Sequence, residues 1–431
     1  MVDVLLINLP TGEWYREKLK DSNSMPPLGL LYIAAYLEKF DYTVSVLDMA
    51  VEGYSSQELQ ELLKEKNPKI VGMSTYNEAW NTQKALCKFV KKVLPDAVIS
   101  AGGAFASFCY EAVLNESLTD YVLVGEGEYS FKNLADFVIR DNKTGNIQDI
   151  HGLCYKDENG NIQVNSAECR IQNLDELPFP DRDLVPLEKY SIGYTISTSR
   201  GCPGNCIFCS SRAFWGKQVV MRSAKSVFDE VMEIYNKYGI SLFYITDDTF
   251  TASKKRCLEF CEMLNDTGIE FVWGCESRAD VINEEFIEIL YKAGCHKIQF
   301  GLESADNEIL KKLKKHVTIE QIENAVKLAS KMGMHIQTSY IVGHAFDTKE
   351  TVEKTLKFAE HLRNEYGARV VCSVNTPFPG TEQYDRREEL GIKIYTDDWG
   401  KFVLSNPIIS TNNLSRNDLR YYLGQGQKLV N

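Results

Sequence analysis

Short apolar runs alternate with amphipathic helical patterns along almost the whole chain, and that alternation restricts it to α/β architectures built on parallel sheets. Residues 4–8, 43–48, 70–74, 98–101 and 121–124 read as strands, separated by helical stretches such as 56–67 and 83–94. The strands are apolar throughout rather than at every second residue, so both faces of their sheet are covered. Parallel neighbours then require right-handed crossovers. Residues 1–145 are therefore expected to form a doubly wound, flavodoxin-like sheet, with any ligand at the carboxyl ends of its strands where the order switches.

From Tyr194 the alternation resumes six times, with strands starting near Tyr194, Leu242, Phe271, Lys297, Ile336 and Val370. Helical patterns follow over 227–238, 285–293, 319–332 and 351–366. Six units fall short of the eight that close a barrel, so residues 191–385 are expected to form an open (βα)6 partial barrel, its site again at the strands' carboxyl ends. Between these domains, residues 146–190 read as a connector. It comprises a hairpin turning at Asn159-Gly160 and a proline-stiffened strap over 174–183. Residues 386–431, with a last helical pattern over 417–429, are expected to cap the barrel mouth.

The sharpest chemical signal is the trio Cys202, Cys206 and Cys209 in a loop loosened by Gly201, Pro203 and Gly204. Three thiolates at this spacing can hold three of the four irons of a cubane cluster. The fourth iron is then open to chelate a small molecule through amine and carboxylate and to pass it one electron. A zinc knuckle is the competing reading. Zinc takes four ligands, and the chain has neither a second CxxC nor a histidine pair.

With 431 residues, 44% hydrophobic and 25% charged, the chain has the core material of two globular domains and an appendage. Its net charge of -12 argues against a nucleic-acid partner. The one basic run, 311–316, reads as a solvated helix end. The longest apolar run, 28–37, is too short to span a bilayer, and the first ten residues read as a strand rather than a signal peptide. A cytoplasmic location with reduced thiols is the expectation, and Cys257 and Cys261 read as small buried hydrophobes.

The CxxxCxxC spacing, with Phe208 just before the third cysteine, resembles the signature of radical S-adenosylmethionine (SAM) enzymes. The resemblance implies a [4Fe-4S] cluster with SAM bound beside it, and it extends over about residues 190–385 through the strand-end runs 246–250, 275–278, 301–304, 341–344 and 375–381. By that match Phe208 lies at the cofactor, Glu303 and Ser304 contact the ribose or amino group, Arg278 the carboxylate, and the backbone up to Gly343 the adenine. Asp247 and Asp248 stand where many members carry Gly-Gly-Glu; a helix N-cap role for Asp247 stays open. His344 either faces substrate or is a loop histidine bonded to backbone.

The runs Pro26-Pro-Leu-Gly-Leu30, Ala34-Ala-Tyr-Leu-Glu38, Gly102-Gly103 and Gly125-Glu-Gly-Glu128 resemble the cobalamin-binding domain that precedes the radical SAM core in one large enzyme class. The resemblance implies base-off cobalamin with the loops after the third and fourth strands near the corrin; Gly102, Gly103, Gly125 and Glu126 are the candidate cofactor contacts, and Tyr76, Asn77 and Trp80 are candidates for the corrin's lower face. The DxHxxG motif of methionine-synthase-type domains is absent, and the domain contains no histidine. A domain with this fold and no cofactor remains the alternative.

The activity this class implies is reductive SAM cleavage followed by cobalamin-dependent methylation of an unactivated carbon in a small-molecule, lipid or peptide substrate. Electrons would come from a low-potential donor such as flavodoxin or ferredoxin. A cyclase or rearrangement enzyme without methyl transfer, and a non-catalytic cobalamin or redox sensor, are the alternatives.

Overall fold

The apolar runs of the first half become strands β1 (Val4–Asn8), β2 (Val44–Asp48), β3 (Ile70–Ser74), β4 (Val98–Gly102) and β5 (Tyr121–Leu123). This computed structural model describes residues 1–11, 25–140, 146–166 and 170–430, and divides into two units, Met1–Tyr194 and Thr195–Asn431. In the first unit β1 pairs in parallel with both β2 and β3, with Val4 opposite Val44 and Ile70. The order β2-β1-β3-β4-β5 is the flavodoxin-like one, and its switch point lies between β1 and β3.

The connector over 146–190 forms the hairpin expected at Asn159-Gly160 and packs it onto the first sheet. Its strands β6 (Leu153–Lys156) and β7 (Ile162–Val164) add antiparallel to the free edge of β5, with Leu153 opposite Leu123. An uncovered edge strand leaves a row of unpaired backbone groups, and the hairpin pairs them. Farther on, Val185 and Tyr190 join the core around Leu30 and Val46. The Tyr190 hydroxyl donates to the buried Asp48 carboxylate at 2.8 Å, so the strap is packed onto the first unit rather than slung free of it.

The second unit holds six parallel strands: β8 (Thr195–Ile196), β9 (Leu242–Ile245), β10 (Val272–Ser277), β11 (Cys295–Glu303), β12 (His335–Val342) and β13 (Arg369–Val374). They lie in sequence order, β8 and β13 at the two edges, each followed by at least one helix or turn that crosses back over the outer face. Along β11 the buried Ile298, Phe300 and Leu302 face the helices, while Gln299, Gly301 and Glu303 point to the lumen. Cys257 and Cys261, on the helix Lys254–Asp266, are fully buried as expected.

The tail corrects an expectation. Its final helix, Arg416–Val430, does not cross the mouth. A Cβ on Gly426 would meet Cys372 and Tyr340, residues paired across β13 and β12 on their helix-facing side. The Tyr422 hydroxyl donates to Glu353 of the neighbouring helix Lys349–Tyr366 at 3.1 Å. The tail thus supplies the sixth outer helix, because β13 presents buried Val370 and Val374 and has no long helix directly after it. Among the described residues no helix is long and apolar enough to cross a membrane.

Candidate functional site

The cluster loop is held from behind by Asp247. This residue is 1% exposed, and its Oδ1 accepts from the backbone N–H of Thr198 (2.6 Å) and Ser199 (3.0 Å). Oδ2 accepts from the hydroxyls of the same two residues, and Arg256 Nη2 stands 3.6 Å away. All the acceptor positions of the carboxylate are thereby used. Asp247, expected at the cofactor, is instead the clamp on the segment that leads into Cys202. The next residue, Asp248, projects the opposite way and accepts from Ser211 Oγ at 2.6 Å.

Within the loop, Ile207 is tied on both sides: its N–H donates to Leu313 O (3.1 Å), and its carbonyl accepts from Gln383 N (2.9 Å). Cys202 Sγ lies 3.3 Å from Thr249 Oγ1, and Cys206 Sγ lies 3.9 Å from Lys314 O. A Cβ built on Gly204 would fall 3.3 Å from Arg278 Nη1, 3.4 Å from Cys202 Sγ and 3.9 Å from Cys206 Sγ. Two sulfurs and a guanidinium thus converge on space that a side chain at 204 would fill. Cys209, whose N–H donates to Cys206 O at 3.2 Å, adds a third soft sulfur donor to the same loop, a donor set that fits an iron-sulfur cube with one iron left open.

The expected SAM contacts surround this loop. Arg278 spends Nε and Nη2 on Asp280 (3.0 and 2.9 Å) and Nη2 also on the carbonyls of Lys315 and His316, which leaves Nη1 turned toward Gly204. Glu303 is 7% exposed with φ +61°, and Lys315 Nζ donates to its Oε1 at 3.0 Å. The buried Ser304 Oγ has no hydrogen-bond partner. Such an orphan marks a place where a ligand or water completes the site.

His344 is 0% exposed, and neither ring nitrogen has a partner. Burial pushes its pKa down to about 3, so the imidazole is neutral, and it packs 5.4 Å from the Phe208 ring. The backbone around it is fixed by Asp347 Oδ2, which accepts from the N–H of Gly343 (3.1 Å) and of His344 (2.9 Å). Asn375 Nδ2 donates to Gly343 O at 3.1 Å. Gly343 has φ +89°, and a Cβ there would lie 2.5 Å from Leu419 of the final helix.

Sequence reasoning missed Lys315 and Asp347; Asn375 and Glu276 lay within the strand-end runs it singled out but were given no role, and burial with the neighbouring Asp248 and Glu303 pushes the Glu276 carboxyl up to about 7. Its place on β10 in register with Gln299 and Gln337 sets it on the lumen face. A further signal for Glu276 was its period-two spacing from Arg278 at a strand end.

In the first unit the carboxyl ends of β3, β4 and β5 gather the expected loops. Thr75 N–H donates to Gly102 O (2.9 Å), and Gly125 N–H donates to Ser107 Oγ (3.0 Å). Gly103 has φ +88°, with Ser74 and Thr75 3.1 Å from where a Cβ would sit, and Gly125 has φ +87° with open space beside it. Tyr76 is 55% exposed, and Trp80 is only 1% exposed, packed on Phe105. The indole expected against a corrin is therefore spent on the core, and Tyr76 is the ring on offer. Glu126 likewise turns to its own connector, Oε2 accepting from Ile171 N–H at 2.7 Å. Buried Thr75 Oγ1 and Asn77 Nδ2 lack partners. Unmet polar groups beside an open glycine loop fit a large, amide-rich ligand such as cobalamin.

The radical SAM superfamily signature matches residues 196–359, and the B12 binding domain matches residues 19–135. An uncharacterized methyltransferase of Pyrococcus horikoshii is 32% identical over 414 residues, covering 95% of this chain and 88% of that protein. Cytidylyl-2-hydroxyethylphosphonate methyltransferase of Streptomyces wedmorensis is 29% identical, over 83% of this chain and 77% of that one. The anaerobic magnesium-protoporphyrin IX monomethyl ester cyclase of Rubrivivax gelatinosus is also 29% identical, over 92% and 72%. The solved structure of the cobalamin-dependent SAM radical enzyme OxsB shares the fold, with a TM-score of 0.78 at 20% identity over 98% of this chain and 66% of that one. With three cysteines in one loop of a partial barrel, a cobalamin-type sheet before it and both signatures matched in that order, the chain belongs to the cobalamin-dependent radical SAM family of methyltransferase-like enzymes, whose cofactors are a [4Fe-4S] cluster, SAM and cobalamin.

Proposed function

We propose that this enzyme methylates an unactivated carbon of a small-molecule, lipid or peptide substrate, drawing electrons from a low-potential donor such as flavodoxin or ferredoxin. The radical half of the reading is carried by the Gly204 cradle, where Cys202, Cys206 and Arg278 converge. When bound, the cluster supplies the electron that cleaves the SAM sulfonium, and cobalamin supplies the methyl group.

The chain's own groups have the following tasks. Cys202, Cys206 and Cys209 ligate three irons, and Asp247 keeps the strand before them in place. Arg278 Nη1 and the unpaired oxygen of Glu303 face the amino-acid end of SAM. Asp248 is the remaining acid for its ammonium. Phe208, backed by neutral His344, makes an apolar wall that excludes water from the reacting carbon. Gly343, with its N–H committed to Asp347, sets the height of the loop against the adenine. In the first unit, Tyr76 and the loops of Gly103 and Gly125 border the corrin.

The test is anaerobic turnover of protein reconstituted with iron, sulfide and cobalamin, with deoxyadenosine and S-adenosylhomocysteine counted separately. Methyl transfer yields both products. Similarity to the cyclase supports a second reading, in which deoxyadenosine forms without S-adenosylhomocysteine. Protein that retains iron but no cobalamin after reconstitution overturns the methyl-transfer reading, and absence of SAM cleavage with a strong reductant overturns both.

A further inference from the structure

The basic run that reads as a solvated helix end instead closes over the cluster loop. After the helix Asn307–Lys312 the backbone turns through Lys314 and His316 at φ +57° and +53°. Non-glycine residues avoid this region. With Glu303 at +61°, three of the five such residues among the described ones lie in this one patch. Strain gathered in one place points to a constraint worth its cost.

The constraint is what the turn directs inward. Its carbonyls reach Cys206 Sγ, from Lys314 at 3.9 Å, and Arg278 Nη2, from Lys315 at 3.2 Å and His316 at 3.3 Å. Lys314 Nζ is pinned to Glu382 at 2.6 Å. The Lys315 side chain, 15% exposed, runs back to Glu303 Oε1 at 3.0 Å. Gly301 makes room for that pair: a Cβ there would lie 2.4 Å from Glu303 Oε1 and 2.6 Å from Lys315 Nζ. The pairing on β11 shifts register between Gly301 and Glu303, which re-aims the Glu303 side chain toward the lysine.

We propose that Lys315 is a positioning residue for SAM. Its ammonium holds one oxygen of Glu303 so that the other stays available to the ligand, and its backbone fixes Arg278 and the cysteine loop to the same turn. The inference rests on the reading of Glu303 and Arg278 as SAM contacts. A methionine at 315 keeps the volume but leaves the nearly buried Glu303 carboxylate without its partner and free to swing.

The test compares reconstituted wild-type protein with Lys315→Met, Lys315→Arg, Glu303→Gln, Arg278→Met and the double variant Glu303→Gln/Lys315→Met. The readouts are iron per chain, thermal stability, and SAM affinity taken from the change SAM produces in the electron paramagnetic resonance of the reduced cluster. Lys315→Met should keep wild-type iron and bind SAM about tenfold more weakly. Lys315→Arg should recover most of that affinity, and the double variant should recover stability without recovering SAM affinity. Wild-type affinity in Lys315→Met or in the double variant overturns the proposal, as does loss of iron in Lys315→Met as complete as in Cys206→Ala. If Glu303→Gln and Arg278→Met also leave affinity unchanged, the reading of the site falls with it; if they weaken SAM and Lys315→Met does not, this inference alone falls.

Discussion

Replacing Asp247 by alanine removes the carboxylate that accepts from Thr198 and Ser199 ahead of the cluster loop, while the short antiparallel pairing of Ser199–Arg200 with Val220–Met221 remains. Two backbone N–H groups, of Thr198 and Ser199, lose their partner in a segment where both residues are buried. Each buried amide left unpaired costs about 1–3 kcal/mol. The Thr198 and Ser199 hydroxyls can rotate to other acceptors and are counted as neutral. Arg256 keeps the carbonyls of Thr198 (2.7 Å) and Phe250 (3.2 Å) but loses the anion beside it, which adds roughly 1–2 kcal/mol. The total, about 3–8 kcal/mol, is comparable with the whole stability of a domain, about 5–15 kcal/mol. Asp247→Asn keeps one oxygen for the two N–H groups and should cost less than half as much. Urea unfolding of the apo-protein, paired with iron content after reconstitution, reads both effects. Asp247→Ala should unfold at much lower urea and take up little iron although all three cysteines remain, while Asp247→Asn should retain most of both. An alanine variant with wild-type midpoint and iron but no SAM binding would refute the clamp and return Asp247 to the ligand.

Four further outcomes are expected. Cys202→Ala, Cys206→Ala or Cys209→Ala should each abolish deoxyadenosine release, measured chromatographically after dithionite reduction. Gly343→Ala, which forces a Cβ to within 2.5 Å of Leu419 at φ +89°, should lower stability by about 1–3 kcal/mol in thermal denaturation. Glu276 has a folded pKa raised to about 7 from 4.5, so the native state binds its proton more tightly than the unfolded state does. The stability it contributes is present below the unfolded value and is lost as pH rises through 7; Glu276→Gln should therefore flatten the fall of Tm between about pH 4.5 and 7 and raise Tm at pH 8. Gly103→Val, crowding Ser74 and Thr75 at φ +88°, should reduce the cobalamin retained after gel filtration, read from its visible absorbance.

Both sheets and the three cysteines were legible because they depend on local chain features. Strand and helix periods follow from burying one side of a short segment, and a loop's ligand spacing is covalent. The helix Lys349–Tyr366 and the core cysteines Cys257 and Cys261 were found this way. Where the connector's hairpin and the tail pack was not legible in their own residues. What claimed them was an unpaired edge at β5 and an uncovered apolar face at β13, neither of which is visible in the segment itself.

Residue pattern alone was enough for the two α/β layers and the order of the domains, and it singled out the three cysteines proposed as cluster ligands and the polar strand ends proposed as cofactor contacts. Which polar group at those ends faces which neighbour was set by how the chain packs in three dimensions. Asp247 and Asp248 are adjacent and chemically alike, yet one clamps backbone and the other projects away toward Ser211, because the chain leaves the strand at Ile245 and turns at Asp248. Glu303 and Lys315 meet across a helix and a strained turn, in room left by a glycine. Such pairings depend on where the chain returns in space, which residue type and spacing do not encode.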